Sequence, residues 1–224
     1  MRTEDWTADW SADWSAEYRR LARGHRHDPH TGPAAQQYGK PAAPPLTLGE
    51  VVEAERELGI RFPDEYREYL LLVSAGGGGG GGGGGRGQGQ GFNRLWRGPD
   101  GWGWWGDRDT NYDLLTTDFP HPDSYAAYDD ELGDREPPRE DAAAWEAWDD
   151  ECGVLQERKT AGAVYLQEGG CGFNTLLVVT GPHRGEMWFD ARATCDLIVP
   201  MSCEGRPATF ADWTDRPRKI VTHW

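Results

Sequence analysis

The chain has 224 residues, 37% of them hydrophobic, with a mean hydropathy of -0.77. That length suits one domain of ordinary size with a tail or long insertion beside it, and the low hydropathy implies a part that buries too little apolar surface to offset its ordering entropy. A formal net charge of -15 repels nucleic-acid phosphates and anionic headgroups, so nucleic-acid binding is disfavoured and a basic protein partner fits the field better.

The opening Met1-Arg2-Thr3-Glu4-Asp5-Trp6 lacks the apolar stretch of a signal peptide, and nothing downstream approaches the ~20 apolar residues of a membrane span. A cytoplasmic location is expected. Residues 1–45 read as a tail and linker, largely disordered, poor in aliphatics and ending in Pro41, Pro44 and Pro45. Within this tail Asp5-Trp6, Asp9-Trp10 and Asp13-Trp14 recur every four residues and Tyr18 follows in step, a spacing that stacks aromatics along one side of a short helix. Such a helix is marginal alone, so it must dock on the chain's own domain, dock on a partner or fray, and the chain's own domain or fraying is expected ahead of a partner. His25, His27 and His30 also cluster here, but without cysteines or a fixed fourth ligand no metal site is expected.

The folded domain is expected over 46–224. Thr47-Leu48-Gly49-Glu50 has the form of a capping box, Val51, Val52, Ala54 and Leu58 follow at helical spacing, and Gly59 ends the helix. Pro63 then opens a second helix whose buried stripe reads Tyr66, Tyr69, Leu70 and Val73. Ten glycines, Gly76 to Gly85, begin a low-complexity loop over 76–91; the run follows a helix and no Gly-Lys-Ser/Thr ends it, which weakens a nucleotide-site reading. Phe92, Trp96, Trp102, Trp104 and Trp105 among Gly and Pro indicate strands around a turn.

Between Asp123 and Glu151 twelve acidic residues face only Arg135 and Arg139, a net of -10 within 29 positions. Ala142 to Trp148 reads as helical, with Trp145 and Trp148 turned inward and Glu146 and Asp149-Asp150-Glu151 toward water. The last third holds short β-rich runs at 163–166, 176–180, 186–189 and 197–199, and the 181–185 loop joins two of them as an antiparallel hairpin. Thr209 is positioned to cap a closing helix containing Phe210 and Trp213, which Pro217 bounds.

No nucleophile with its base stands out, and there is no G-x-S-x-G. Cys152, Cys171, Cys195 and Cys203 form no C-x-x-C pair and read as isolated thiols of a reducing compartment. Neither acidic triplet has the loop spacing of a divalent-cation site, so no catalytic residue, metal or cofactor is expected.

Leu58-Gly59-Ile60-Arg61-Phe62-Pro63-Asp64-Glu65-Tyr66-Arg67-Glu68-Tyr69-Leu70 resembles the L-G-x-x-[LF]-P-x-x-[YF]-x-x-[FY]-L signature of the Smi/Knr cell-wall-regulator family, part of the SUKH superfamily. Gly170 to Pro182 and Gly185-Glu186-Met187-Trp188-Phe189-Asp190 are similar to the paired strands of its actinobacterial members, and the pattern extends over roughly residues 46–216. The resemblance implies an α+β fold in which two N-terminal helices pack on a curved, mostly antiparallel sheet of about five or six strands, with a closing C-terminal helix. It also implies a non-catalytic, protein-binding role: an immunity protein that neutralises a polymorphic toxin in interbacterial competition, or a regulatory scaffold in cell-wall or signalling control. A metal-dependent enzyme is the remaining alternative. The expected partner is a basic toxin domain, met by Asp129, Asp130, Glu131, Asp149, Asp150 and Glu151.

Overall fold

A computed structural model describes residues 13–25, 42–77, 91–105, 109–215 and 217–222. Most of the Asp-Trp run, His27, His30 and most of the glycine loop lie outside these residues. Helix α1 (Trp14–Leu21) starts where the Asp13 side chain accepts a hydrogen bond from Ala16 N at 2.9 Å. Helix α2 (Leu48–Leu58) carries the expected capping box, with Thr47 N donating to Glu50 Oε2 at 2.7 Å and Glu50 N to Thr47 Oγ1 at 3.2 Å. Gly59 closes it at φ 70°, a left-handed conformation that costs glycine nothing.

Helix α3 (Asp64–Leu72) follows Pro63 and buries Tyr66 and Leu70. Two expected core residues turn outward: Val52 is 49% exposed and Val73, where α3 ends, is 56% exposed. Val51 already fills the inward position of that turn, so its neighbour, about 100° around the helix, faces water. Strands β1 (Arg94–Gly98) and β2 (Gly101–Trp105) form an antiparallel hairpin that buries Leu95, Trp102 and Trp104.

Helices α4 (Ala126–Asp134) and α5 (Ala142–Arg158) come next, the second running ten residues past the end expected at Trp148. An antiparallel sheet follows, made of β3 (Ala163–Gly170), β4 (Phe173–Val178), β5 (Met187–Asp190), β6 (Ile198–Cys203) and β7 (Arg206–Pro207) in that order. A short α6 (Arg192–Cys195) links β5 to β6. Helix α7 (Phe210–Asp215) is the expected closing helix, and a sixth strand, β8 (Ile220–Thr222), follows it and pairs with β6. The fold is therefore α+β with a six-stranded antiparallel sheet.

Alternation along the strands divides the core. Val164, Leu166, Leu177 and Met187 face α2, α3 and α7 in the main cluster, whereas Ala163, Tyr165, Leu176, Val178 and Trp188 pack with Phe119 on the other side. The main cluster is aromatic at its centre: the Tyr66 and Phe210 rings lie 5.0 Å apart, Phe92 and Trp213 5.8 Å, and Trp104 Nε1 donates to Tyr66 Oη at 2.8 Å. Arg184 in the β4–β5 loop donates to Arg61 O at 3.2 Å and also to Phe62 O. That guanidinium ties the hairpin to the Gly-Ile-Arg-Phe-Pro corner, two segments far apart in sequence that carry the family resemblance.

Candidate binding surface

Helices α4 and α5 pack through Tyr125, Tyr128, Leu132 and Leu155, with Trp148 and Cys152 against them. Their polar sides bring the two acidic triplets onto one pair of helices, but the six residues do not share one fate. Asp130, Glu131 and Asp149 are exposed. Asp129 accepts a hydrogen bond from Lys159 Nζ at 2.7 Å, and that lysine is only 3% exposed. Asp150 is half-buried and accepts from Ser15 Oγ on α1.

Glu151 departs furthest from expectation. Its side chain is 7% exposed, accepts from Tyr128 Oη at 2.5 Å and from Arg135 Nη2 at 2.8 Å, and so does not face water. The cause is helical periodicity: with Val154 and Leu155 it occupies the inward stripe of α5, where a carboxylate persists only if hydrogen-bonded and paired. The same contacts raise the Arg135 pKa, chiefly through the Glu151 hydrogen bond, and burial raises that of the Tyr128 hydroxyl.

With three triplet members engaged inside the protein, the outward charge rests on their neighbours. Asp130, Asp134, Glu136, Glu140, Glu146 and Asp149 are all exposed, and none makes a hydrogen bond or ion pair through its carboxylate among the described residues. They lie on α4, on the connection after it, and on the first half of α5. Of the six residues expected to meet a partner, Asp129, Asp150 and Glu151 are instead bonded within the protein, through contacts with residues distant in sequence.

A second feature carries no mark in the sequence. Where α5, the ends of β3 and β5, α6 and the segment after α1 meet, a polar cleft of about 500 Å³ is lined by His25, Asp109, Glu157, Tyr165, Asp190 and Arg192 among others. Arg192 is the hub of its hydrogen bonds. Arg192 Nε donates to Asp190 Oδ1 at 3.0 Å, Nη1 to Gln156 O at 2.7 Å and Gln156 Oε1 at 3.1 Å, and Nη2 to Tyr165 Oη at 2.7 Å and Asp190 Oδ2 at 2.8 Å. All five guanidinium N–H groups are thus committed. Burial pushes the Asp190 pKa up, but the Arg192 hydrogen bonds and charge outweigh it and hold the carboxyl below its usual range. Likewise Glu157 stays below its usual range despite burial, because His25 Nε2 lies 2.9 Å from its carboxylate and Asn111 Nδ2 donates to it at 2.7 Å. The cleft is a joint that fastens α1, α5 and the sheet.

Among the described residues no three His, Cys, Asp or Glu side chains are grouped as a metal site requires, and no helix is long and apolar enough to cross a membrane. All four cysteines are free thiols, with Cys203 in the core and Cys171 and Cys195 exposed.

Residues 45–142 match the model of the SMI1 / KNR4 family (SUKH-1). The match spans α2, α3, the β1–β2 hairpin and α4, and stops before the sheet strands that also carry the resemblance. No curated protein and no solved structure matches the chain.

Proposed function

We propose, from the match of residues 45–142 to the SMI1 / KNR4 family (SUKH-1) model, that this protein is a non-catalytic binding protein that neutralises a basic toxin domain through the acidic side of α4 and α5. The observation that carries the reading is the set of six exposed carboxylates, Asp130, Asp134, Glu136, Glu140, Glu146 and Asp149, left without internal partners among the described residues on α4, the connection after it and α5. Charges arranged in this way raise the association rate with a positive surface and discriminate against acidic partners more than they raise affinity. The full commitment of the Arg192 guanidinium, whose five N–H groups all donate within the protein, argues in the same direction, since that group has no donor left for a substrate.

The test is protection of cells against basic toxin domains, any encoded by neighbouring genes first, together with association kinetics of each purified toxin domain with this protein. Replacing Asp130, Glu146 and Asp149 by Asn, Gln and Asn should slow association by about tenfold and flatten its dependence on salt, with protection weakened in step. Association that is indifferent both to salt and to these three substitutions would overturn the reading.

A further inference from the structure

Within that acidic side stands an aromatic ledge. Trp145 lies in the first turn of α5, half-buried, with Trp148 and Asp149 three and four residues after it on the same side of the helix; Asp141, four before, is the N-cap and accepts from Ala144 N at 3.2 Å through Oδ1. Trp148 is fixed from behind, its Nε1 donating to Leu132 O at 2.8 Å, and its ring lies 5.8 Å from that of Trp145. The Trp145 Nε1 is out of contact with solvent and meets no acceptor among the described residues.

What covers this ledge is a cation. The Arg139 guanidinium carbon lies 5.7 Å from the Trp145 ring centroid. Arg139 is exposed and close in sequence to Glu136, Glu140 and Asp141, yet among the described residues it forms no ion pair with any carboxylate. Arg135, the other cation of the stretch, is held by Glu151.

We propose that Trp145 is the anchor for an arginine side chain of the protein partner, and that Arg139 occupies the anchor in the free protein. This rests on the acidic-surface reading and adds to it a position and a preference. A planar guanidinium stacks on an indole face while its edges reach carboxylates, here that of Asp149 one turn along; an ammonium does the second but stacks poorly. Tryptophan and arginine are also the residues that most often dominate binding at interfaces. Because Arg139 competes for the ring, its removal should help an incoming arginine more than an incoming lysine.

Full-length protein titrated calorimetrically with octa-arginine and octa-lysine peptides, at low and at physiological salt, tests this. Both peptides should bind in a salt-sensitive manner, octa-arginine about fivefold or more tighter. Trp145→Leu should erase that preference while leaving octa-lysine binding nearly unchanged, and Trp145→Phe should retain part of it. Arg139→Gln alters the charge equally for both peptides, so a selective gain for octa-arginine of about two- to fivefold isolates the competition for the ring.

An arginine preference that survives Trp145→Leu, or an Arg139→Gln gain equal for both peptides, would overturn the anchor and leave the acidic-surface reading standing. Failure of both peptides to bind the unmodified protein would overturn the two together. The Arg139→Gln comparison stands even if Trp145→Leu proves unfolded in a thermal melt.

Discussion

Two carboxylates two positions apart on α5 have opposite surroundings, and their removal should show it. Glu151→Ala strips the Tyr128 hydroxyl and the Arg135 guanidinium of a shared acceptor that is almost wholly buried. Breaking a fully buried pair costs about 3–5 kcal/mol, but Arg135 is one-third exposed and can recover water, so a loss of about 2 kcal/mol is expected. In a chain of this size that corresponds to a melting temperature roughly 4–8 °C lower. Asp149→Ala should stay within about 0.5 kcal/mol. Urea unfolding, with the slope unchanged, separates the two, and equal effects would show that Glu151 is not held as described. In the sequence Asp149-Asp150-Glu151 is a uniform triplet, and only the helical period breaks it. Carrying the helical period past Trp148 to Val154 and Leu155 puts position 151 on the inward stripe. Lys159 had no comparable mark, since its burial depends on a contact with Asp129 thirty residues away.

Among the elements, those with local signals were legible and those formed by docking were not. A capping box, a C-terminal glycine and a Gly-Ile-Arg-Phe-Pro corner delimit α2 and α3 without reference to the rest of the chain. Helix α4 has only Tyr128 and Leu132 as buried anchors in an acidic stretch, too faint a stripe to single out. Helix α1 was foreshadowed by the four-residue aromatic pitch, yet its seat on α5 is a tertiary fact: Leu21, Trp14 and Tyr18 pack with Val154, Ala161 and Leu114. Gly153 is central to that seat, because a Cβ there would come 2.6 Å from Tyr18 Cε2. Replacing glycine by alanine inside a helix ordinarily stabilises by about 1 kcal/mol. Here the sign should reverse, Gly153→Ala loosening α1 and raising hydrogen exchange at residues 14–21, while Tyr18→Ala in the same chain restores the gain from helix propensity. A double-mutant cycle reads the coupling between the two sites, and an additive result would show that the Tyr18 ring does not rest on Gly153.

At the scale of the molecule, the segment that matches the family and the unit that buries a core are different lengths of chain. The match ends at residue 142, whereas the main cluster joins Val51, Tyr66, Phe92 and Trp104 to Val164, Leu177, Met187, Phe210 and Trp213 from beyond it. The alternating strands made the second half legible as a sheet, but the partner of each face was not, because face-to-face packing is set by residues more than a hundred positions apart. The aromatic contacts Tyr66 to Phe210 at 5.0 Å and Phe92 to Phe210 at 5.6 Å cross this division, as does the Arg184 hydrogen bond to Arg61 O. A fragment limited to 45–142 would leave Tyr66, Phe62 and Leu70 facing water on one side, and no strand of the six-stranded sheet would be present to cover them. Burial of one such side chain contributes about 1.5–3 kcal/mol, so losing the cover of several is comparable to the roughly 5–15 kcal/mol by which a domain of this kind is stable. Residues 42–222 should therefore unfold in one cooperative thermal transition with a defined near-ultraviolet dichroism spectrum, and the 45–142 fragment should show neither. A cooperative transition in the fragment would mean that the helices and the β1–β2 hairpin form a core without the sheet.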